Sequence, residues 1–249
     1  MTFEERARKG AGLMESAGML AERAVQDPTL FLRMLGRFSN LSAANLLLTG
    51  EQYPDARVLG RAPYWKQVFR EDPGKLLRPE WEGKGIDLVL PGFDGGCMRL
   101  CSVVYYADGQ MARSLPEELV PPCPSLTDIQ DRTERRLLQA GMMIDPEEIP
   151  ELTDDLLDDI PDEELHDAAA RVNALFSLYF QGEETVPWAP RLMPALATIT
   201  FFRGRGEDGV RLSSYGAEQV RNEAGDRALP FLDRVQRLYW PALVKFKNF

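Results

Sequence analysis

Seven cations, Arg57, Arg61, Lys66, Arg70, Lys75, Arg78 and Lys84, crowd into one short stretch of the chain, with the aromatic pair Tyr64 and Trp65 among them. Cations attract phosphates and exposed rings stack on nucleobases, so this mixture fits the chemistry of single-stranded nucleic acid. Glu71, Asp72, Glu80 and Glu82 lie inside the same stretch, and Glu51 and Asp55 just before it. A solvated mixed-charge surface is therefore the competing reading. Trp65 fits either a core position or an exposed stacking platform, whereas Trp81 reads as packing. Gly83-Lys84-Gly85 is too short for a Walker loop and lacks its Lys-Ser/Thr ending, which leaves a phosphate contact through Lys84 and no nucleotide pocket.

No other set of residues assembles into an enzyme site. The single histidine, His166, lies inside EELHDAAA, completes neither a zinc pattern nor a nucleophilic triad, and reads as a helix-surface residue. Cys97, Cys101 and Cys123 are odd in number and contain no Cys-x-x-Cys pair. Ser125 and Ser213 have no histidine base to activate them. The expectation is a protein with no catalytic residue, no metal and no cofactor.

The elements that must hold the cations run from Phe38 to Pro91. Ser42 and Asn45 open a short helix reaching about Gln52, and Pro54 ends it, since proline offers no N–H and restricts the residue before it. Ser42 and Asn45, three apart on one helical face, also suit local hydrogen bonding that pins the helix to the next turn of the chain. A strand-like ARVLGR comes next, then an aromatic turn PYWKQVF, a basic loop broken by Gly and Pro, and a strand IDLVL closed by Pro91.

The pattern Ser42-x-x-Asn45-x-Leu47-Leu48, Gln52-x-Pro54-x-Ala56, Trp65, Gly83-Lys84-Gly85-Ile86 and Leu88-x-Leu90-Pro91 resembles the N-terminal domain of ArdC-type antirestriction proteins, the LtrC-like domain carried on conjugative mobile elements. Leu41 stands where that family has Tyr, its Gly-Arg pair is missing, and EDPGKLLRPEWE reads as an insertion. The resemblance implies an α+β module that binds single-stranded DNA. The family's zinc protease domain, with its His-Glu-x-x-His, has no counterpart in a chain with one histidine. In this reading Ser42, Asn45, Gln52 and Pro54 form a structural motif, and the seven cations with Tyr64 and Trp65 contact the nucleic acid.

The net charge of −10 argues against nucleic acid only until it is mapped. Twelve acids and no Lys or Arg fall between Asp145 and Asp167, and the rest of the chain carries 27 acids against 29 bases. Such a block is either a solvated connector or a surface for a basic protein partner, and Leu152, Leu156, Leu157 and Ile160 at helical spacing suggest that part of it docks as an amphipathic helix. The second functional reading rests here: a protein-interaction or inhibitor module using residues 145–167, a mimic of DNA charge.

With 44% apolar residues the composition is ordinary for a globular protein. No run approaches the roughly 18 apolar residues of a membrane span, and the charged start MTFEERARKGAG has no secretory core. A cytoplasmic protein without a membrane partner is expected. The fold class expected is α+β. An N-terminal domain (1–124) packs helices on a small, mainly antiparallel sheet made of 57–60, 86–90 and 98–106. A helix and acidic connector (125–161) leads to a smaller, mainly helical region (162–249), in which LATITFF forms a strand of a hairpin through Gly204-Arg205-Gly206.

Overall fold

Charged and apolar residues alternate at helical spacing over the first residues and form one long helix, α1 (Phe3–Gln26). The computed structural model describes residues 1–72, 75–119, 124–140, 155–183 and 185–247. It divides the chain into two units, one of residues 1–22 and 41–121, the other of 23–40 and 122–249. The fold is α+β, with a small antiparallel sheet in the first unit and only helices as regular elements in the described part of the second.

In the first unit β1 (Leu59–Gly60), β2 (Ile86–Asp94) and β3 (Cys97–Ala107) form a sheet of order β1-β3-β2. The β2–β3 hairpin turns at Gly95 and Gly96, whose φ angles of 53° and 84° are those a two-residue hairpin turn demands and glycine supplies. Asp94 faces Cys97 across that turn, and the ladder runs back to Ile86 opposite Tyr105. α1 lies so close to β3 that a Cβ on Gly10 would meet the Leu100 carbonyl and come within 3.0 Å of the Cys101 Cα. Lys9 reaches Asp87 at 2.7 Å, and Asp87 also accepts from the Ser102 hydroxyl at 2.9 Å. α3 (Ala43–Gln52) is buried from Ala43 to Gly50.

PYWKQVF is a helix rather than a turn: α4 (Ala62–Phe69), with Pro63 in its first turn, where a missing N–H costs nothing. Of the strand expected over ARVLGR, just before this helix, only Leu59 and Gly60 pair, in β1.

The second unit contains α2 (Thr29–Arg37), α5 (Leu126–Gln139), α6 (Glu163–Phe180), α7 (Ala189–Gly204), α8 (Ser214–Ala224) and α9 (Ala228–Lys247). α7 contains the LATITFF run, so the expected strand and its hairpin do not form. Every residue from Leu192 to Arg203 is buried, and a short apolar run enclosed on all sides has the same pattern in a helix as in a strand. The β-branched Thr198 and Thr200 fit the helix by donating their hydroxyls back to the Pro194 and Leu196 carbonyls, at 2.8 and 2.6 Å. α2 crosses α7 at a glycine pair, where a Cβ on Gly36 would lie 2.7 Å from the Gly204 Cα. α2 therefore belongs with the C-terminal helices and not with a continuous domain of residues 1–124. α5 packs on α6, so it is part of this unit and not a connector. With α2 and α5 included, the helical unit is the larger of the two.

Of the acidic block, Asp145, Glu147, Glu148, Glu151, Leu152 and Asp154 lie outside the described residues. Residues 155–162 are built into the second unit, though not as an amphipathic helix, and Glu163, Glu164 and Asp167 fall in α6. Leu156, Leu157 and Ile160 are buried, and Leu157 bridges Leu212 in an antiparallel pairing supported by Asp158 N–H to Arg211 O and Ser213 N–H to Leu156 O, both 2.9 Å. Asp155, Asp158 and Asp159 stay exposed, and Asp162 caps α6 by accepting from Leu165 N–H at 2.8 Å. Leu156→Ala should therefore cost about 2–5 kcal/mol in chemical denaturation, while Asp158→Asn should leave stability unchanged within about 0.5 kcal/mol. Equal effects would show that the segment is not anchored by its apolar residues.

Candidate nucleic-acid interface

The residues of the Ser42–Ala56 pattern are structural. Ser42 caps α3, its hydroxyl accepting from Asn45 N–H at 3.4 Å. The Asn45 side-chain amide then pairs with β2 at both ends: Val89 N–H donates to Oδ1 at 2.8 Å, and Nδ2 donates to the Val89 carbonyl at 2.9 Å. Two helical turns on, Gln52 repeats the device. Asp87 N–H donates to Oε1 at 2.9 Å, and Nε2 donates to the Asp87 carbonyl at 3.0 Å and to the Leu48 carbonyl at 2.9 Å.

β2 is an edge strand, and alternate residues of an antiparallel strand turn their N–H and C=O away from the neighbour. Asp87 and Val89 are two such residues, and the next in that series, Pro91, has no N–H to expose. α3 thus closes the open edge of the sheet. Pro54 lies just beyond the helix and is exposed, while Ala56 is fully buried.

Trp65 is also interior, which removes it from the residues able to stack on a base. Its ring is fully buried, and Nε1–H donates to the Gly60 and Tyr106 carbonyls, each at 3.0 Å. Phe69 stacks on it at 5.8 Å, Tyr64 meets it edge-on at 5.1 Å, and Leu76 and Met111 complete the cluster. α4 carries Trp65 inward, so a platform at this position would empty the core. Tyr64 keeps part of its surface in solvent. Trp81 packs edge-on against Tyr53 at 5.1 Å.

All seven cations are exposed. Arg61 and Arg70 flank α4 and Lys66 lies within it. Arg57 enters β1, where Asp108 Oδ1 accepts from its N–H at 3.0 Å and fixes its backbone. Arg78 and Lys84 flank the 3₁₀ turn Pro79–Trp81. Their polar contacts are to carbonyls: Arg78 Nε–H to Met111 O at 3.1 Å and Lys84 Nζ to Glu80 O at 3.2 Å. Among the described residues none of the seven pairs with a carboxylate. Elsewhere in the same unit Lys9 pairs with Asp87, Arg99 with Glu4 and Arg113 with Glu71. Between Arg57 and Lys84 the seven cations face four acids, an excess of three positive charges.

Among the described residues no group of three or more His, Cys, Asp or Glu is placed to hold a metal. His166 lies half-buried in α6. Cys97 is exposed and Cys101 buried, while Cys123 lies outside the described residues. Ser125 and Ser213 are both helix caps, accepting from Asp128 N–H at 3.1 Å and Gly216 N–H at 3.0 Å. Sequence reasoning missed Asp108, whose carboxylate also accepts from Val58 N–H at 3.1 Å. Its signal, the Asp108-Gly109 pair, marks by itself only a turn.

Comparison of the chain with protein-family models, curated proteins and solved structures finds no match.

Trp65→Ala should lower the unfolding free energy by about 3–5 kcal/mol. Asn45→Asp, which turns a donor into a second acceptor against the Val89 carbonyl, should cost about 1–3 kcal/mol. Denaturant titration of both variants checks this, and a near-neutral Asn45→Asp would show that the sheet edge does not need the amide.

Proposed function

We propose that the chain is a non-catalytic, sequence-nonspecific single-stranded DNA-binding protein of the kind found on mobile elements and in antirestriction. The observation that carries this reading is the run of seven exposed cations between Arg57 and Lys84, none with a carboxylate partner among the described residues. Unpaired surface cations keep their counterions, and releasing those counterions onto a phosphate chain drives association. The resemblance of the Ser42–Pro91 pattern to the ArdC N-terminal domain supports the same reading. Capture is electrostatic, with the half-buried Tyr64 lying among the cations and Trp65 holding the scaffold. Contacts of this kind fall on phosphates rather than base edges, so the binding is indifferent to sequence.

A second reading, an acidic module for a basic protein partner, is favoured by the exposed carboxylates of Asp155, Asp158, Asp159, Asp162, Glu163 and Glu164 around the anchored leucines.

Fluorescence anisotropy with a labelled single-stranded oligonucleotide separates the two. Binding should be micromolar or weaker at low salt, with the logarithm of the affinity falling against the logarithm of salt at a slope of about −0.7 per phosphate neutralised. Lys66→Gln with Arg70→Gln should make that slope shallower by about 1.4. No binding at tens of micromolar protein overturns the DNA reading and leaves the acidic module.

A further inference from the structure

With Trp65 buried, the Arg57–Lys84 stretch offers a base only half-buried rings such as Tyr64. An exposed ring is found on α9. The inner face of this helix, Phe231, Leu232, Val235, Tyr239, Ala242 and Leu243, is buried in the second unit. Arg234, Arg237, Trp240 and Val244 are all exposed. Their spacings of three, three and four residues place them along one side of a helix with 3.6 residues per turn. Trp240 is the most exposed tryptophan of the described residues, 42% open, and Val244 is 37% open.

The charges of this face are cationic. Arg234 and Lys245 pair with no carboxylate among the described residues. The Lys245 ammonium sits 4.7 Å from the centre of the Tyr179 ring, which orients it without neutralising it. Arg237 shares its charge with the half-buried Asp233 at 2.7 Å, an i,i+4 pair whose exposed arginine a phosphate can compete for. Asp233 is the only acid in α9, in a chain whose net charge is −10. The cationic positions span about 16 Å of helix axis.

We infer that the outward face of α9 is a stacking surface for single-stranded nucleic acid, with Trp240 as the platform and Arg234, Arg237 and Lys245 as phosphate contacts. This rests on the DNA-binding reading above and adds to it a second surface with an exposed ring. The occupant is a polyanion with flat bases because cations alone would suit any polyanion, whereas an exposed indole between them suits one that can stack. An anionic membrane is a poorer fit. Its recognition needs a wide apolar face, and that face of α9 is already spent on the core.

The test uses the full chain and a labelled oligothymidylate in anisotropy at low salt. Trp240→Ala should weaken binding about fivefold or more, and Trp240→Phe, which keeps a ring, should recover most of the loss. Arg234→Gln with Lys245→Gln should make the salt slope shallower by about 1.4. Thermal melting of each variant excludes unfolding as the cause, since Trp240 is on the surface, and Trp240→Phe decides the matter if the alanine variant melts early. Trp240→Ala within twofold of wild type, while Lys66→Gln with Arg70→Gln still weakens binding, overturns the α9 surface and leaves the first reading standing. Absence of binding by the wild type overturns both. Loss of sedimentation with phosphatidylserine vesicles in Trp240→Ala, with DNA binding unchanged, would assign the face to a membrane instead and also overturns the inference.

Discussion

The first unit depends on how one strand edge is closed. β2 turns the peptide groups of Asp87 and Val89 away from β3, and an unpaired peptide group in the interior costs about 1–3 kcal/mol. A side-chain amide carries one acceptor and donors just as a peptide does, so Asn45 and Gln52 stand in for the missing strand. That substitution fixes α3 along the sheet and leaves no free edge for another chain to pair with at these residues. Pro91 continues the protection without a partner. The ion pair from Lys9 and the hydrogen bond from Ser102 then converge on the Asp87 carboxylate from α1 and β3.

Some of this was legible in the sequence because local rules govern it. Ser42 and Asn45 at the opening of a short helix, Pro54 at its end and the IDLVL strand closed by Pro91 all come from side-chain hydrogen bonding or from proline's missing N–H. Asn45 and Gln52 stood out as members of the Ser42–Ala56 pattern. Their targets did not, since a spacing of seven in a helix meets a spacing of two in a strand only through tertiary placement.

The failures have physical causes too. LATITFF is buried on every side, so it carries no period to tell helix from strand, and its close crossing with α2 through Gly36 and Gly204 is a long-range fact. PYWKQVF is short, and its helix is held by the Trp65 indole bridging the Gly60 and Tyr106 carbonyls rather than by propensity. Composition places an aromatic among cations equally well inside or outside. The structure puts Trp65 inside and Trp240 out. The acidic block divides in the same way: its leucines pin residues 155–160 to the 211–213 segment while its aspartates face solvent.

Function on this account is a matter of which charges are left unpaired. Lys9 spends its charge on Asp87, whereas Lys66, Lys75 and Lys84 have no carboxylate partner among the described residues. Lysine acetylation followed by mass spectrometry, with and without saturating single-stranded oligonucleotide, tests that distinction directly. Strong protection of Lys66, Lys75 and Lys84 with Lys9 unchanged is the predicted result. Equal reactivity of all four lysines with and without DNA would contradict the account.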